Sequence, residues 1–172
     1  MYIYDKRNRA KAPQDLPSSA LITMKLFHLH SQVVIYETLE EVFPFFADAR
    51  NLQEITPPWL NFRVVTPAPI EMKPGQMIDY QIRVRGLPMK WRSEITVWEP
   101  PYRFVDEQVR GPYTVWHHEH RFTERDGETI CEDNVDYAVP GGALVNRFFV
   151  EPDVQRIFEY RRERLRKIFG AR

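Results

Sequence analysis

From Leu26 to Val139 the apolar side chains recur mostly at every second position, and beyond Val139 at every third or fourth. The first period is that of a strand, whose alternate residues share a face, and the second is that of a helix. Leu26–Tyr36 alternates and is rich in Val, Ile and Phe, which predicts a first strand. Thr38 followed by Glu41 is a capping-box pattern for a short helix presenting Val42, Phe43 and Phe46. Asp48 is placed to cap a second short helix, Ala49–Ile55, which Pro57 and Pro58 stop. Six further strands are expected: Leu60–Thr66, Met77–Arg85, Met89–Trp98, Arg103–Arg110, the strand ending Gly111–Phe122, and Thr129–Val139. Their connections carry Gly or Pro, with Asp126-Gly127 a hairpin signal. Ala143–Phe169 then reads as a long amphipathic helix through Val150, Val154, Ile157, Phe158, Leu165 and Ile168, which Pro152 should kink or split.

The alternation places unusual residues on the inner faces. In the strand ending at Phe122, Trp116, His118, His120 and Phe122 share a side, so two imidazoles point where two aromatics seek burial. Buried polar groups need partners, so either a neighbouring strand satisfies them or the interior holds a cavity. A cavity is the expectation, walled by Tyr80, Ile82, Trp91, Ile95, Trp116, Val135, Tyr137 and Phe158, which share inner faces on successive elements. Asp133 falls on the inner face of the last strand, and pairing across Asp126-Gly127 would bring it near the histidines. Three roles fit His118, His120 and Asp133: polar contacts for a ligand, a general acid/base group with Asp133 orienting one imidazole, or an open three-ligand metal site. No ligand spacing of the HExxH kind supports the last, so neither a metal nor another cofactor is expected. Arg161 lies on the apolar stripe of the long helix, with its head either snorkelled to water or turned to the cavity as a cation for a ligand's acidic group.

Composition narrows the function classes. The 172 residues suit one domain, with 24 basic and 24 acidic side chains balancing to zero. That balance argues against nucleic acid, whose backbone affinity comes from excess Lys and Arg. No apolar run reaches the roughly 20 residues of a membrane span, and one cysteine, Cys131, cannot form an internal disulfide, which predicts a reducing, cytoplasmic setting. Residues 1–23 have no sustained periodicity and are expected to form a flexible extension to a domain covering 24–172.

One strand, two short helices, six strands and a long helix form an order that resembles the α+β helix-grip fold of START and Bet v 1-like proteins. The wording SEITVWEPPYRFVDEQVRGPYTVWHHEHRF, then DGET and VDYAVPGG, is similar to bacterial ligand-binding SRPBCC proteins of the polyketide cyclase/dehydrase kind. The resemblance implies a curved seven-stranded antiparallel sheet wrapped around the C-terminal helix, with an elongated apolar cavity between them. It implies binding or carrying of a small, mostly apolar molecule such as a lipid, a quinone or a polyketide. A cyclase or dehydratase using His118 or His120 as acid/base, and an accessory protein-interaction domain with an unknown partner, are the alternatives.

Overall fold

The computed structural model describes residues 25–170 and a short antiparallel pair, β1 (Ile3–Tyr4) with β2 (Ala10–Lys11). The remainder of the expected flexible extension lies outside the described residues. The chain proper begins with β3 (Phe27–Ile35) and α1 (Leu39–Ala47), followed by single 3-10 turns at Ala49–Gln53 and Pro58–Leu60. Then come β4 (Arg63–Val64), β5 (Met77–Val84), β6 (Leu87–Glu99), β7 (Arg103–Arg110), β8 (Val115–Arg125) and β9 (Glu128–Ala138). A short α2 (Gly142–Val145) leads through a π-turn into α3 (Glu151–Phe169).

The seven strands from β3 onward form one curved antiparallel sheet in the order β3-β9-β8-β7-β6-β5-β4, gripping the C-terminal helix in the helix-grip manner. Neighbours in sequence are neighbours in the sheet except at one edge, where β3 closes against β9. The turns chosen for Gly do their work where positive φ is required: Asp126 (φ 54°) and Gly127 (φ 80°) make the two-residue hairpin that sets β8 against β9. That hairpin fixes the register Phe122↔Cys131, His120↔Asp133 and His118↔Val135.

Three apolar clusters hold the layers together. In the first, α1 lays Leu39, Val42, Phe43 and Phe46 against Phe104, Phe122, Cys131 and Leu165. Phe122 meets Phe43 edge-on at 5.5 Å and Phe46 at 4.8 Å. The second packs Val135, Tyr137 and Val139 against Val154 and Phe158 of α3, and the third joins Ala49 to Ile78, Tyr80 and Ile95. At the start of α1 the Glu41 carboxylate accepts from the Thr38 amide at 3.1 Å and its hydroxyl at 2.8 Å.

Three expectations change in detail and a fourth holds. The strand expected over Leu60–Thr66 shrinks to Arg63–Val64, because Pro57 and Pro58 start a 3-10 turn and Asn61 (φ 42°) reverses the chain. The second short helix, expected over Ala49–Ile55, is a 3-10 helix that ends at Gln53, and Asp48 caps it, accepting from the Arg50 amide at 3.0 Å. A register shift between Ile95 and Val97 opposes Val97 to Val105 and Trp98 to Phe104. Opposed residues share a face, so Trp98 joins the inner core beside Phe104, where strict alternation from Ile95 would have placed Val97. The long helix divides near the proline as expected: Pro152 lacks the amide that a continuous helix would use, and the π-turn Asn146–Val150 precedes it.

Phe122→Ala should cost about 3–5 kcal/mol, the range for emptying a buried aromatic site, in chemical denaturation. A loss below about 1 kcal/mol would show that α1 is held to the sheet elsewhere.

Candidate functional site

Three neighbouring strands build one polar cluster inside this apolar frame. Alternation along β8 turns His118 and His120 inward with Phe122, and along β7 it turns Phe104, Asp106 and Gln108 inward. Register then sets Asp106 opposite His118 and His120 opposite Asp133. From the other side, α3 delivers Arg161, which is buried to 7% exposure. His118 Nε2 lies 2.9 Å from Asp133 Oδ1, and His120 Nδ1 lies 3.1 Å from the same oxygen. His120 Nε2 is 3.1 Å from Asp106 Oδ2, and Arg161 Nη2 is 3.4 Å from Asp133 Oδ1. The two imidazoles lie 3.8 Å apart between centroids, and Phe104 stacks on His120 at 4.0 Å. Trp91 Nε1 donates to Ser93 Oγ at 2.9 Å, and Ser93 Oγ in turn donates to Asp106 Oδ1 at 3.3 Å.

Electrostatics in this buried cluster separates the members. Burial would raise the Asp133 carboxyl, but the Arg161 charge and the contacts from His118 and His120 outweigh it and hold Asp133 well below the usual carboxylate range. Asp106 is likewise held ionised, with burial overcome by its contact with His120 and the nearby His118. His118 goes the other way: burial first, then the proximity of His120, push its imidazole down to about 4 against the pull of both carboxylates. A neutral imidazole thus sits between two carboxylates. Burial in the apolar cluster beneath α1 pushes the Cys131 thiol up to about 12, so it stays protonated at neutral pH.

A cavity of about 690 Å³ opens beside the cluster, within the size range of small-molecule pockets. Of the residues expected to form its wall, Tyr80, Ile82, Trp91, Ile95 and Trp116 line it, as do His118, His120 and Arg161. Asp133, Val135, Tyr137 and Phe158 do not. Val135, Tyr137 and Phe158 pack on one another where α3 lies flat on β9, which leaves no space there. Asp133 is covered by the two imidazoles and Arg161, so it supports the wall without forming it. Arg161 keeps its head inside rather than snorkelling to water. Exposed Trp59, Arg85, Phe149 and Arg156 mark the mouth, where Arg85 bonds Asp153 at 3.0 Å and the Phe149 carbonyl at 3.0 Å.

Asp106 was not foreseen from sequence. The signal was its place between Phe104 and Gln108 at a spacing of two, obscured by Glu107 and the arginines at both ends of β7. With its register partner, it also creates a donor set: Asp106, His118 and His120 each offer one ligand atom, all within 4.8 Å of one another.

Residues 38–166 match the family described as polyketide cyclase / dehydrase and lipid transport. The chain belongs to this family. As a START/Bet v 1-like domain of the polyketide cyclase/dehydrase kind, it shares its fold with several solved structures. The ZhuI aromatase/cyclase from Streptomyces sp. R1128 superposes with a TM-score of 0.65 at 16% identity, over 84% of this chain and 96% of that one. Protein Ms6760 from Mycobacterium smegmatis gives 0.62 at 19% identity over 82% and 89%. A norcoclaurine synthase point mutant from Thalictrum flavum, bound to a transition-state analogue, gives 0.62 at 7% identity over 87% and 100%. At such identities the likeness is one of fold. No curated protein matches the chain.

The depressed His118 imidazole makes stability depend on pH in a definite sense. The unfolded chain binds a proton near 6.5 that the folded chain refuses until about 4, so the stability of folding falls as pH drops through that window. The slope approaches about 1.4 kcal/mol per pH unit for one proton. Denaturant titrations with chelator present should show a shallower slope for His118→Gln between pH 6.5 and 4.5. Parallel slopes for variant and wild type would contradict the assignment.

Proposed function

We propose that this polyketide cyclase/dehydrase-family domain binds or carries one small, mostly apolar molecule in its internal cavity, the polar cluster holding the guest's polar end. The observation that carries this reading is the composition of the cavity wall: mostly apolar and aromatic side chains, with Asp106, His118, His120 and Arg161 converging at one place. Such a pocket removes the guest's apolar body from water at about 25 cal/mol per Å², while the few convergent polar groups set its orientation. Lipids, quinones and polyketides combine an extended or polycyclic apolar body with one oxygenated end, which suits that division. Among the described residues no helix is long and apolar enough to cross a membrane. Exposed Trp59 and Phe149 border the cavity at its mouth.

A second reading, proton-transfer chemistry of the cyclase or dehydratase type, is favoured by one specific feature. His118 borders the cavity between Asp106 and Asp133, the position a general acid/base group would take beside a bound carbonyl compound. Both readings require the cavity, so the first experiment concerns occupancy. Fluorescence enhancement of anilinonaphthalene sulfonate should saturate at one probe per chain in wild-type protein. Ile157→Trp, on the helical wall, should fill the lumen and weaken uptake at least tenfold, about 1.4 kcal/mol. Equal affinity in the folded variant would remove the cavity from the account. Retention of a guest in native mass spectrometry, with its mass unchanged after incubation, supports carriage; loss of one water from it supports the enzyme.

A further inference from the structure

We propose that Asp106, His118 and His120 form a binding site for one divalent transition-metal ion at the floor of the cavity, with Asp133 orienting both imidazoles from behind. The inference shares the cavity with the binding reading but does not depend on an apolar guest.

The Asp106 oxygen already lies near the spacing an ion demands from each imidazole, and the three donor atoms all fall within 4.8 Å of one another. A tetrahedral ion with nitrogen and oxygen ligands at about 2.0–2.1 Å keeps its ligand atoms about 3.3–3.4 Å apart. Asp106 Oδ2 lies 3.5 Å from His118 Nδ1 and 3.1 Å from His120 Nε2. The remaining ring nitrogens complete the design. His118 Nε2 and His120 Nδ1 both face Asp133 Oδ1, at 2.9 and 3.1 Å. In that tautomer each imidazole donates its N–H to Asp133 and offers its bare nitrogen to the ion, the carboxylate–histidine–metal arrangement that raises ligand basicity. Arg161 Nη2, at 3.4 Å from Asp133 Oδ1 and 3.4 Å from His120 Nδ1, stands on the side of the support and not of the ion. It balances the Asp133 charge, leaving the Asp106 charge for the metal. Ser93 donates to Asp106 Oδ1, which frees Oδ2 for coordination, and Trp91 fixes Ser93 in turn.

Two imidazoles and one carboxylate suit zinc or iron(II). Three protein donors leave at least one position open, and Asp106, His118 and His120 all border the cavity. A ligand's oxygen could therefore complete the coordination. This proposal departs from the expectation of no metal, which counted Asp133 as a donor and lacked Asp106. The structure gives Asp106 the donor's place and Asp133 the supporting one.

The test starts from wild-type protein stripped with EDTA and dialysed against zinc(II) or cobalt(II), with elemental analysis of the product. One ion per chain, with visible d–d absorption in the cobalt form, is the expected result. Asp106→Asn and His118→Gln should each weaken binding at least 100-fold. Asp133→Asn should keep the stoichiometry and weaken it 10–100-fold, as loss of outer support does. The exposed outer-face pair His28 and His30 supplies the control: His28→Ala/His30→Ala should bind as wild type does. Wild-type protein that retains no ion overturns the proposal without any variant, and so does binding that survives in folded Asp106→Asn or disappears in the outer-face control. Probe uptake measured in EDTA keeps the two ideas apart, since a protein that retains no zinc on reloading but whose stripped form still takes up anilinonaphthalene sulfonate refutes the metal site alone.

Discussion

A carboxylate taken out of water is among the costliest groups a fold can bury, and it survives only when opposite charge and hydrogen-bond donors reach it together. Asp133 is 8% exposed and ionised, and three donors converge on its Oδ1: His118, His120 and Arg161. The histidines come from the adjacent strand of the same hairpin, but Arg161 comes from α3, at the other end of the fold's construction. The buried ion pair therefore joins sheet to helix at the site itself. Removing either partner would leave the other's charge without its opposite, so this contact ties α3 to the cluster alongside the packing of Val154 and Phe158.

The rest of the architecture follows the same division between packed and unpacked regions. Toward β3 and β9 the helix lies flat, and Val135, Tyr137, Val154 and Phe158 fill the interface. Beneath α1 the aromatic cluster around Phe122 fills another. Between these, the sheet curves away through β7, β6 and β5, and the polar cluster occupies the boundary between core and cavity. Asp106 and the imidazoles accordingly have a packed side, which fixes them, and an open side, which a guest or an ion can reach. Rigid support on one side and space on the other is what a binding or reacting group requires.

Much of this was legible in the alternation of residues. The inward register of His118 and His120 followed from their place between Trp116 and Phe122, and the seven strands followed from their periods and turns. What was not legible depended on contacts between distant segments. Asp106 belongs to the site because β7 sets it opposite His118, a register that no feature of VDEQVR announces. Val135 and Tyr137 share the inner face of β9 with Asp133, yet whether that face meets a helix or a void depends on how the sheet curves. The bulge that turns Trp98 inward in place of Val97 leaves no mark in a strand read by period two. Arg161 could be placed on the apolar stripe, but its buried partner lies in another element 28 residues earlier in the chain.

The dependence of the site on the Asp133–Arg161 contact is open to a direct measurement, a double-mutant cycle in urea denaturation with Asp133→Asn, Arg161→Met and the combined variant. Each single change should cost several kcal/mol, about 3–5 for a broken buried pair. The combined variant should recover a substantial part of that loss, giving a coupling of about 2 kcal/mol or more. Strictly additive effects, with coupling below about 0.5 kcal/mol, would show that the two side chains are buried independently and that the cluster is not organised by their pairing.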